Sequence, residues 1–227
     1  MNDRAPHVLA LVPAFDEERT VAQTVLSLHA LSAVDEIVVV ADGCSDRTAE
    51  EARAAGARVL HTARRMGKGG AVEAALSLVP AADVYLLVDA DVGATASRAS
   101  VLVEAVVRDE ADLAVGLLPS MDGGGFGLVK GFAGLSIRLL TGRRTAEPLS
   151  GQRAVANRCL EACRPLARGF GLETAMTIDA LRAGFRVVEI PVAIRHRPTG
   201  RTVAGFVHRG RQGIDILRAT AVRALRR

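Results

Sequence analysis

The chain alternates between short, dense apolar runs and stretches in which apolar residues return every three or four positions. Val8-Leu9-Ala10-Leu11-Val12 is the first dense run, and residues 36–41, 57–61, 84–88, 112–116 and 186–190 repeat its form. Runs this short and this apolar predict strands covered on both faces, as in a parallel sheet. Between them Val21, Val25, Leu28 and Leu31 keep helical spacing, and Val72, Leu76 and Val79 do so again. Further helices are expected over residues 47–55, near 97–108 and from about Leu128 to Leu140. Repeated strand and helix alternations predict an α/β fold, a doubly wound and mostly parallel sheet with helices on both faces. Such sheets bind ligands at the carboxyl edge of their strands.

That edge is crowded with polar residues. The run Val84 to Val88 ends in Asp89-Ala90-Asp91, and alternation along an extended chain would send both carboxylates the same way. Two like charges so close favour a hard divalent cation with oxygen ligands, Mg²⁺ or Mn²⁺, holding a phosphate-bearing substrate. Taken alone, Asp-x-Asp reads as plainly as a polar exit from a strand. The first strand closes with Pro13-Ala14-Phe15-Asp16-Glu17-Glu18, where acidic residues also suit the dipole of the following helix. The second ends in Asp42-Gly43-Cys44-Ser45-Asp46, in which Gly43 permits a tight turn and Ser45 or Asp46 caps a helix. After the third comes Arg64-Arg65-Met66-Gly67-Lys68-Gly69-Gly70, a basic, glycine-rich helix start suited to an anion. Its spacing matches neither the dinucleotide-binding nor the P-loop pattern.

Beyond Gly116 the pattern loosens. Residues 119–127 carry Gly123, Gly124, Gly125 and Gly127 and read as a mobile loop of the kind that covers sites. Arg143, Arg144 and Arg153 fall in one loop, Gly142 to Arg153, and point to an anionic partner, with a solvated face as the plainer alternative. A helix holding Cys159 and Cys163 follows, then a helix opened by Gly169 to Glu173, where the dipole alone suits Glu173. His196, between Arg195 and Arg197 after the last strand, is a candidate metal ligand, and His208 a weaker one. From Ile214, the residues Leu217, Ala221, Ala224 and Leu225 form one helical face, while Arg218, Arg223, Arg226 and Arg227 lie elsewhere. Residues 201–227 are thus set apart from a main domain of residues 1–200 as a basic amphipathic helix, able to cover its own domain or an anionic membrane.

Composition narrows the classes. The 227 residues suit one ordinary domain, and a hydrophobic share of 49% supports a large core. Aromatic residues make up only 3%, with no Trp, so the stacking surface of single-strand nucleic-acid binders is thin. No nucleic-acid partner is therefore expected, and the net charge of +4 and pI near 9.5 fit arginine-rich phosphate binding instead. Three cysteines, odd in number and without paired ligand spacing, read as free thiols in a reducing cytoplasm, with no zinc site. No leader opens the sequence and no apolar run approaches the roughly 18 residues of a spanning helix. The expected location is cytoplasmic, at the inner face of the membrane if the last helix binds lipid, and a homodimer stays open.

Together these residues resemble the GT-A-fold glycosyltransferases of the family that includes dolichol-phosphate mannosyltransferase and glucosyl-3-phosphoglycerate synthase. Val12 to Glu18 is similar to the family's V-P-A-x-N-E-E opening, Ala41 to Asp46 to its D-D-G-S-x-D with Ala41 in place of the first Asp, Gly67-Lys68-Gly69 to its G-K-G, and Asp89-Ala90-Asp91 to its metal-binding D-x-D. The resemblance covers about residues 8 to 200. It implies a GT-A (Rossmann-like) sheet, a nucleotide-sugar donor and a Mg²⁺ or Mn²⁺ cofactor. It implies that Pro13, Ala14, Glu17 and Asp42 hold the nucleoside, Lys68 the nucleotide side of the pocket, and Asp89 and Asp91 the sugar nucleotide and cation. Ser150-Gly151-Gln152-Arg153 resembles the S-G-F-R of polyprenyl-phosphate enzymes, whereas Gly142-Arg143-Arg144-Thr145 looks like the acceptor loop of the phosphoglycerate enzyme. Arg143, Thr145, Gln152 and Arg153 are therefore the acceptor candidates, and a phosphate on the acceptor is what both relatives share. Arg195-His196-Arg197 resembles the phosphoglycerate enzyme's metal-binding His, and Glu173 would act on an acceptor hydroxyl in an inverting transfer, with a retaining outcome open.

Two other classes compete. A nucleotidyltransferase shares the sheet but carries a glycine-rich basic loop after its first strand, where this chain has the acidic Pro13 to Glu18. A nucleotide-sugar-binding or membrane-docked adaptor would need no acceptor groups, and binding without turnover would reveal it.

Overall fold

The computed structural model describes residues 4–119, 127–195 and 203–225, with the side chains of 203–212 excepted. The strands are β1 (Val8–Ala14), β2 (Glu36–Asp42), β3 (Arg58–Thr62), β4 (Val84–Leu87), β5 (Leu113–Leu117), β6 (Arg153–Ala156) and β7 (Val187–Pro191). The helices are α1 (Val21–His29), α2 (Thr48–Ala54), α3 (Lys68–Leu76), α4 (Ser100–Val107), α5 (Gly127–Thr141), α6 (Asn157–Ala162), α7 (Leu172–Arg182) and α8 (Val203–Leu225). Short 3₁₀ turns precede α4 (Gly93–Ala99) and α7 (Gly169–Gly171).

One sheet, ordered β3-β2-β1-β4-β6-β5-β7, joins all the strands, and only β6 runs against the others. The expected GT-A architecture, a mostly parallel sheet with helices on both faces and a C-terminal helix, is the observed one. Alternation explains the dense runs. Along β1, Ala10 and Val12 enter the core beneath α1 and α4, while Leu9 and Leu11 enter the core beneath α3, α6 and α7. Both faces are covered, so both sets must be apolar, each buried Leu or Val contributing about 1.5–3 kcal/mol. The carboxyl ends of β1, β2, β3 and β4 then share one edge, and the polar loops that follow them collect there.

Three expectations need correction. β4 ends at Leu87, and Asp89 to Asp91 lie beyond it, where residues 90 and 91 form a turn, so strand alternation does not set their directions. Residues 153–156, expected as loop and helix, form β6, a four-residue strand that begins on an arginine and contains two alanines, too little apolar signal to read. It leaves α6 to start at Asn157 and Cys163 to stand just after it; both Cys159 and Cys163 are buried. The last helix runs from Val203 to Leu225 within the expected segment, but its packed face is not the one expected. Ile216, Ala219 and Arg223 are buried, whereas Leu217 and Leu225 are exposed. An ion pair selects that face: Arg223 grips Asp179 of α7 through Nε at 2.8 Å and Nη2 at 2.5 Å to one carboxylate oxygen. The glycine-rich loop at 123–125, His196, Arg197, Arg226 and Arg227 lie outside the described residues, as does the side chain of His208.

The distal end of the sheet is tied by Asp112, buried just before β5. Its Oδ1 accepts from Arg158 of α6 (Nη2, 2.5 Å), and its Oδ2 from the Arg186 amide (2.8 Å) and Nε (3.3 Å) ahead of β7. Burial alone would raise its pKa, but the Arg186 amide and the Arg158 guanidinium outweigh it and hold the carboxyl below its usual value. A depressed carboxyl pKa stabilises the fold above the unfolded value, about 3.9, and that contribution disappears as the pH falls through the folded value. Asp112→Asn should therefore lower the urea midpoint at neutral pH, with the gap to wild type narrowing as the pH falls below about 3.9. A gap that stays constant across that range would show that Asp112 acts through shape and not charge.

Candidate active site

The site begins with a turn that a buried carboxylate holds open. Asp42, at the end of β2, accepts from Thr62 Oγ1 (2.8 Å) and the Met66 amide (2.8 Å) on one oxygen, and from the Gly67 amide (2.7 Å) on the other. Gly67 takes φ +75°, a conformation open to glycine at little cost, and α3 starts at the next residue. Asp42 thus fixes where Lys68 leaves the loop. It presents only 3% of its surface, and both of its carboxylate oxygens are engaged by the turn. Gly43 is needed at the same crossing, because a Cβ there would stand 2.6 Å from the Arg65 amide nitrogen.

Lys68 reaches across the carboxyl edge and lies between two carboxylates. Its Nζ donates to Asp89 Oδ1 and, at 2.7 Å, pairs with Glu173 Oε1. Burial works to lower the lysine's pKa, but the charge of Asp89 and then that of Glu173 prevail, and Lys68 is held protonated above its ordinary range. Asp89 has a second partner: Gln152 Nε2 donates to Oδ2 at 2.8 Å. Antiparallel pairing explains this. Leu87 faces Arg153 across β4 and β6, so continuing the register sets Asp89 opposite Gly151. A Cβ on Gly151 would collide with both the Asp89 carboxylate and the Lys68 ammonium, and the residue there must be glycine for the ion pair to form.

Glu173 is brought in from the other side. It is 5% exposed in the first turn of α7, just after the 3₁₀ turn Gly169–Gly171. That turn is clamped twice. The start of α3 presses on it so closely that a Cβ on Gly67 would lie 3.1 Å from Gly169 Cα, and Asp215 of α8 accepts from the Phe170 amide at 3.2 Å.

The other expected residues are distributed unevenly. Pro13 and Ala14 end β1 beside this edge; Glu17 stands in the turn before α1, its amide on Thr48 Oγ1 (2.7 Å) and its carboxylate accepting from Thr20 Oγ1 (2.9 Å). Beside them Arg65 lies over the Phe15 ring at 3.6 Å. Asp91 is half-buried in the turn after Asp89. Arg153, expected to face an acceptor, does not. It is fully buried with Nε on the Ser150 carbonyl (2.7 Å) and Nη1 on Thr177 Oγ1 (2.9 Å), so it holds the loop from beneath. Burial pulls its pKa down to about 10 against the charge of Glu173, which leaves it cationic at neutral pH. Gln152 serves Asp89, as described, and is itself buried. Arg143 is exposed, and the loop carrying it and Thr145 is fastened to the outer strand β7, where Glu189 accepts from the amides of Ala146 (2.9 Å) and Glu147 (2.7 Å). Gly151 is the site residue whose role sequence reasoning missed, because its importance comes from the register of a strand that the pattern does not reveal.

The donors fit a hard cation. Asp89, Asp91 and Glu173 offer only oxygen, and a positive charge already lies between two of them. Among the described residues the one group of three whose ligand atoms all come within metal-binding range of one another is Asp16, Cys44 and Asp46. Their carboxylates are occupied by the loop itself, Asp16 by the Ser45 amide (2.7 Å) and Asp46 by the Thr48 amide (3.0 Å).

Residues 10–150 match the family model described as glycosyl transferase family 2. The chain is 31% identical over 213 residues to glycosyltransferase AglD of Haloferax volcanii, covering 82% of this chain but only 32% of that protein. It is 28% identical over 212 residues to undecaprenyl-phosphate mannosyltransferase of Micrococcus luteus, covering 86% of each. Its structure is similar to glucosyl-3-phosphoglycerate synthase from Mycobacterium tuberculosis, crystallised with Mn²⁺, UDP-glucose and phosphoglyceric acid, with a TM-score of 0.79, 24% identity and coverage of 96% of this chain and 79% of that one.

Arg143 and Arg153 should part company on substitution. Arg153→Met leaves the Ser150 carbonyl and Thr177 without their donor and should lower stability by roughly 1–3 kcal/mol, the range for a buried group left unpaired. Arg143→Met, at an exposed position, should stay within about 0.5 kcal/mol. Urea denaturation of both variants decides; equal losses would mean that Arg153 is not the anchor of this loop.

Proposed function

The chain belongs to glycosyl transferase family 2, and from that premise we propose that it moves a hexose from a UDP-sugar to a phosphate-bearing acceptor, with Mg²⁺ or Mn²⁺ bound. The observation that carries this reading is the ammonium of Lys68 held between Asp89 and Glu173 at the carboxyl edge of the sheet. It supplies what transfer from a diphosphate requires: carboxylate oxygens for a cation, a fixed positive charge, and a further carboxylate on the acceptor side.

In this reading Asp89 and Asp91 hold the cation, with His196 as a further ligand, and Gln152 keeps the Asp89 carboxylate turned toward the pocket. The cation, when bound, neutralises the negative charge that develops on the departing diphosphate. Pro13, Ala14 and Glu17 line the nucleoside side, and Asp42 sets the wall between them and Lys68. Lys68 is a second, permanent positive charge within reach of the donor phosphates. Glu173 takes the proton from an acceptor hydroxyl; if the attacking atom is a phosphate oxygen, which needs no base, Glu173 orients it instead. Arg143 and Thr145 lie on the outer loop, where a long acceptor would pass. The named relatives support both kinds of acceptor, an undecaprenyl phosphate and a phosphoglyceric acid.

Calorimetry tests the donor half. UDP-glucose should bind in Mn²⁺ and lose measurable affinity in chelator, because Asp89 and Asp91 would otherwise repel the diphosphate. Equal affinity in both would remove the cation from the reading. Asp91→Ala should lower turnover at least a hundredfold, the scale of losing one electrostatic group at a transition state, while its melting stays cooperative. Turnover at the wild-type rate would dismiss Asp91 from the site.

A further inference from the structure

Two helices turn apolar side chains away from the protein. Along α5, Leu128, Phe132, Leu135 and Leu139 return every three or four residues, and Leu128 and Leu139 are 90% and 75% exposed. Along α8 the outward residues are Ile214, Leu217 and Leu225, the last 87% exposed. The helices are tied together at two places. At the start of α5, Leu128, Val129 and Phe132 share an apolar groove with Gly213 and Leu217 from the middle of α8. Near their ends Arg182 of α7 donates to the Leu140 carbonyl (3.2 Å) and to the Arg223 carbonyl (2.5 Å). The two stripes therefore form one surface, and a continuous apolar face on a folded chain marks a contact.

Charge decides what covers it. Helix α5 carries no acidic residue; its Lys130 is paired with Glu147 (2.5 Å), and Arg138 is exposed. The one carboxylate of α8, Asp215, is turned inward onto Gly169 and Phe170. Arg138 of α5 and Arg218 of α8 are exposed on the two helices. A second copy of the chain, meeting this face with the same face, would set arginine against arginine. An anionic lipid surface instead offers hydrocarbon to the leucines and headgroup charge to the arginines. We propose that the joint outer face of α5 and α8 seats on an anionic membrane surface. The seating stands on these helices alone; only the acceptor it points to, a lipid-linked phosphate, rests on the transfer reading above. The inner side of α8 reaches the turn before Glu173 through Asp215, so a seated chain carries its site next to the headgroups.

The test is sedimentation of the full chain, without sugar nucleotide, with vesicles of phosphatidylcholine alone or containing about one third phosphatidylglycerol. Binding is expected to the anionic vesicles at low salt, to weaken as salt rises, and to be absent from the neutral ones. Leu139→Glu with Leu217→Glu, both at exposed positions, should keep the wild-type melting midpoint and lower partition roughly tenfold or more. Arg218→Glu should lower it less and flatten its salt dependence. The proposal is overturned if wild type stays in solution at low salt, if the double variant binds as wild type does, or if wild type proves to be a dimer that the double variant dissolves while neither binds vesicles. UDP-glucose binding in Mn²⁺, run on the same samples, separates the two ideas. It should be unchanged in the double variant, and its absence in wild type would count against the transfer reading and leave the seating as measured.

Discussion

Two carboxylates converging on one edge of a sheet repel, and at this protein's carboxyl edge a lysine ammonium resolves that repulsion. Lys68, Asp89 and Glu173 come from three separate parts of the chain, and each is largely withdrawn from water. Charges so placed interact more strongly than on a surface, and leaving any one unpaired is costly. Much of the surrounding structure can be understood as the means of bringing them together. Asp42 sets the turn from which Lys68 emerges, Gly151 clears the space across from Asp89, Gln152 fixes one face of that carboxylate, and the 3₁₀ turn aims Glu173. The same cluster that satisfies itself in the free protein is also a concentration of the charges that a sugar diphosphate would engage.

Much of this was legible in the sequence, and the reason is local. The strands of the parallel half are dense apolar runs because both of their faces are covered, and the polar residues that follow each run land on one edge because parallel strands end together. Lys68, Asp89 and Glu173 could each be singled out from a motif of a few residues. What could not be read depends on contacts between distant segments. β6 has almost no apolar signature, so the placement of Gly151 and Gln152 beside Asp89, and the burial of Arg153, were hidden. The orientation of α8 was misread for a related reason: its most apolar face is not the packed one, because the Arg223–Asp179 pair and the small residue Ala219 fit against α7 where leucines would not. An arginine can belong to a core when its partner is fixed, and composition along a helix does not announce that partner.

Helix α8 has two sides with different tasks. Inward, Asp215 and Arg223 hold the turn before Glu173 and the body of α7 by directed polar contacts. Outward, its exposed residues Ile214, Leu217 and Leu225 share an apolar surface with α5. A helix built this way joins the placement of an acidic side chain in the site to whatever covers the outer face, without either surface touching the other.

The antiparallel strand has a consequence for the order in which the chain can become competent. β1 to β4 lie within one stretch of about eighty residues, so all four of these strands precede β6 in the chain. Asp89 comes just after them, yet its neighbours across the sheet are more than sixty residues further on and arrive only when β6 slots between β4 and β5. During synthesis β1 to β4 would emerge well before the residues that hold Asp89. An incomplete chain would expose its carboxylates without the glutamine that orients one of them. Wedging the late strand into the middle of the sheet, rather than adding it at the rim, makes closure of the fold and completion of the pocket a single event.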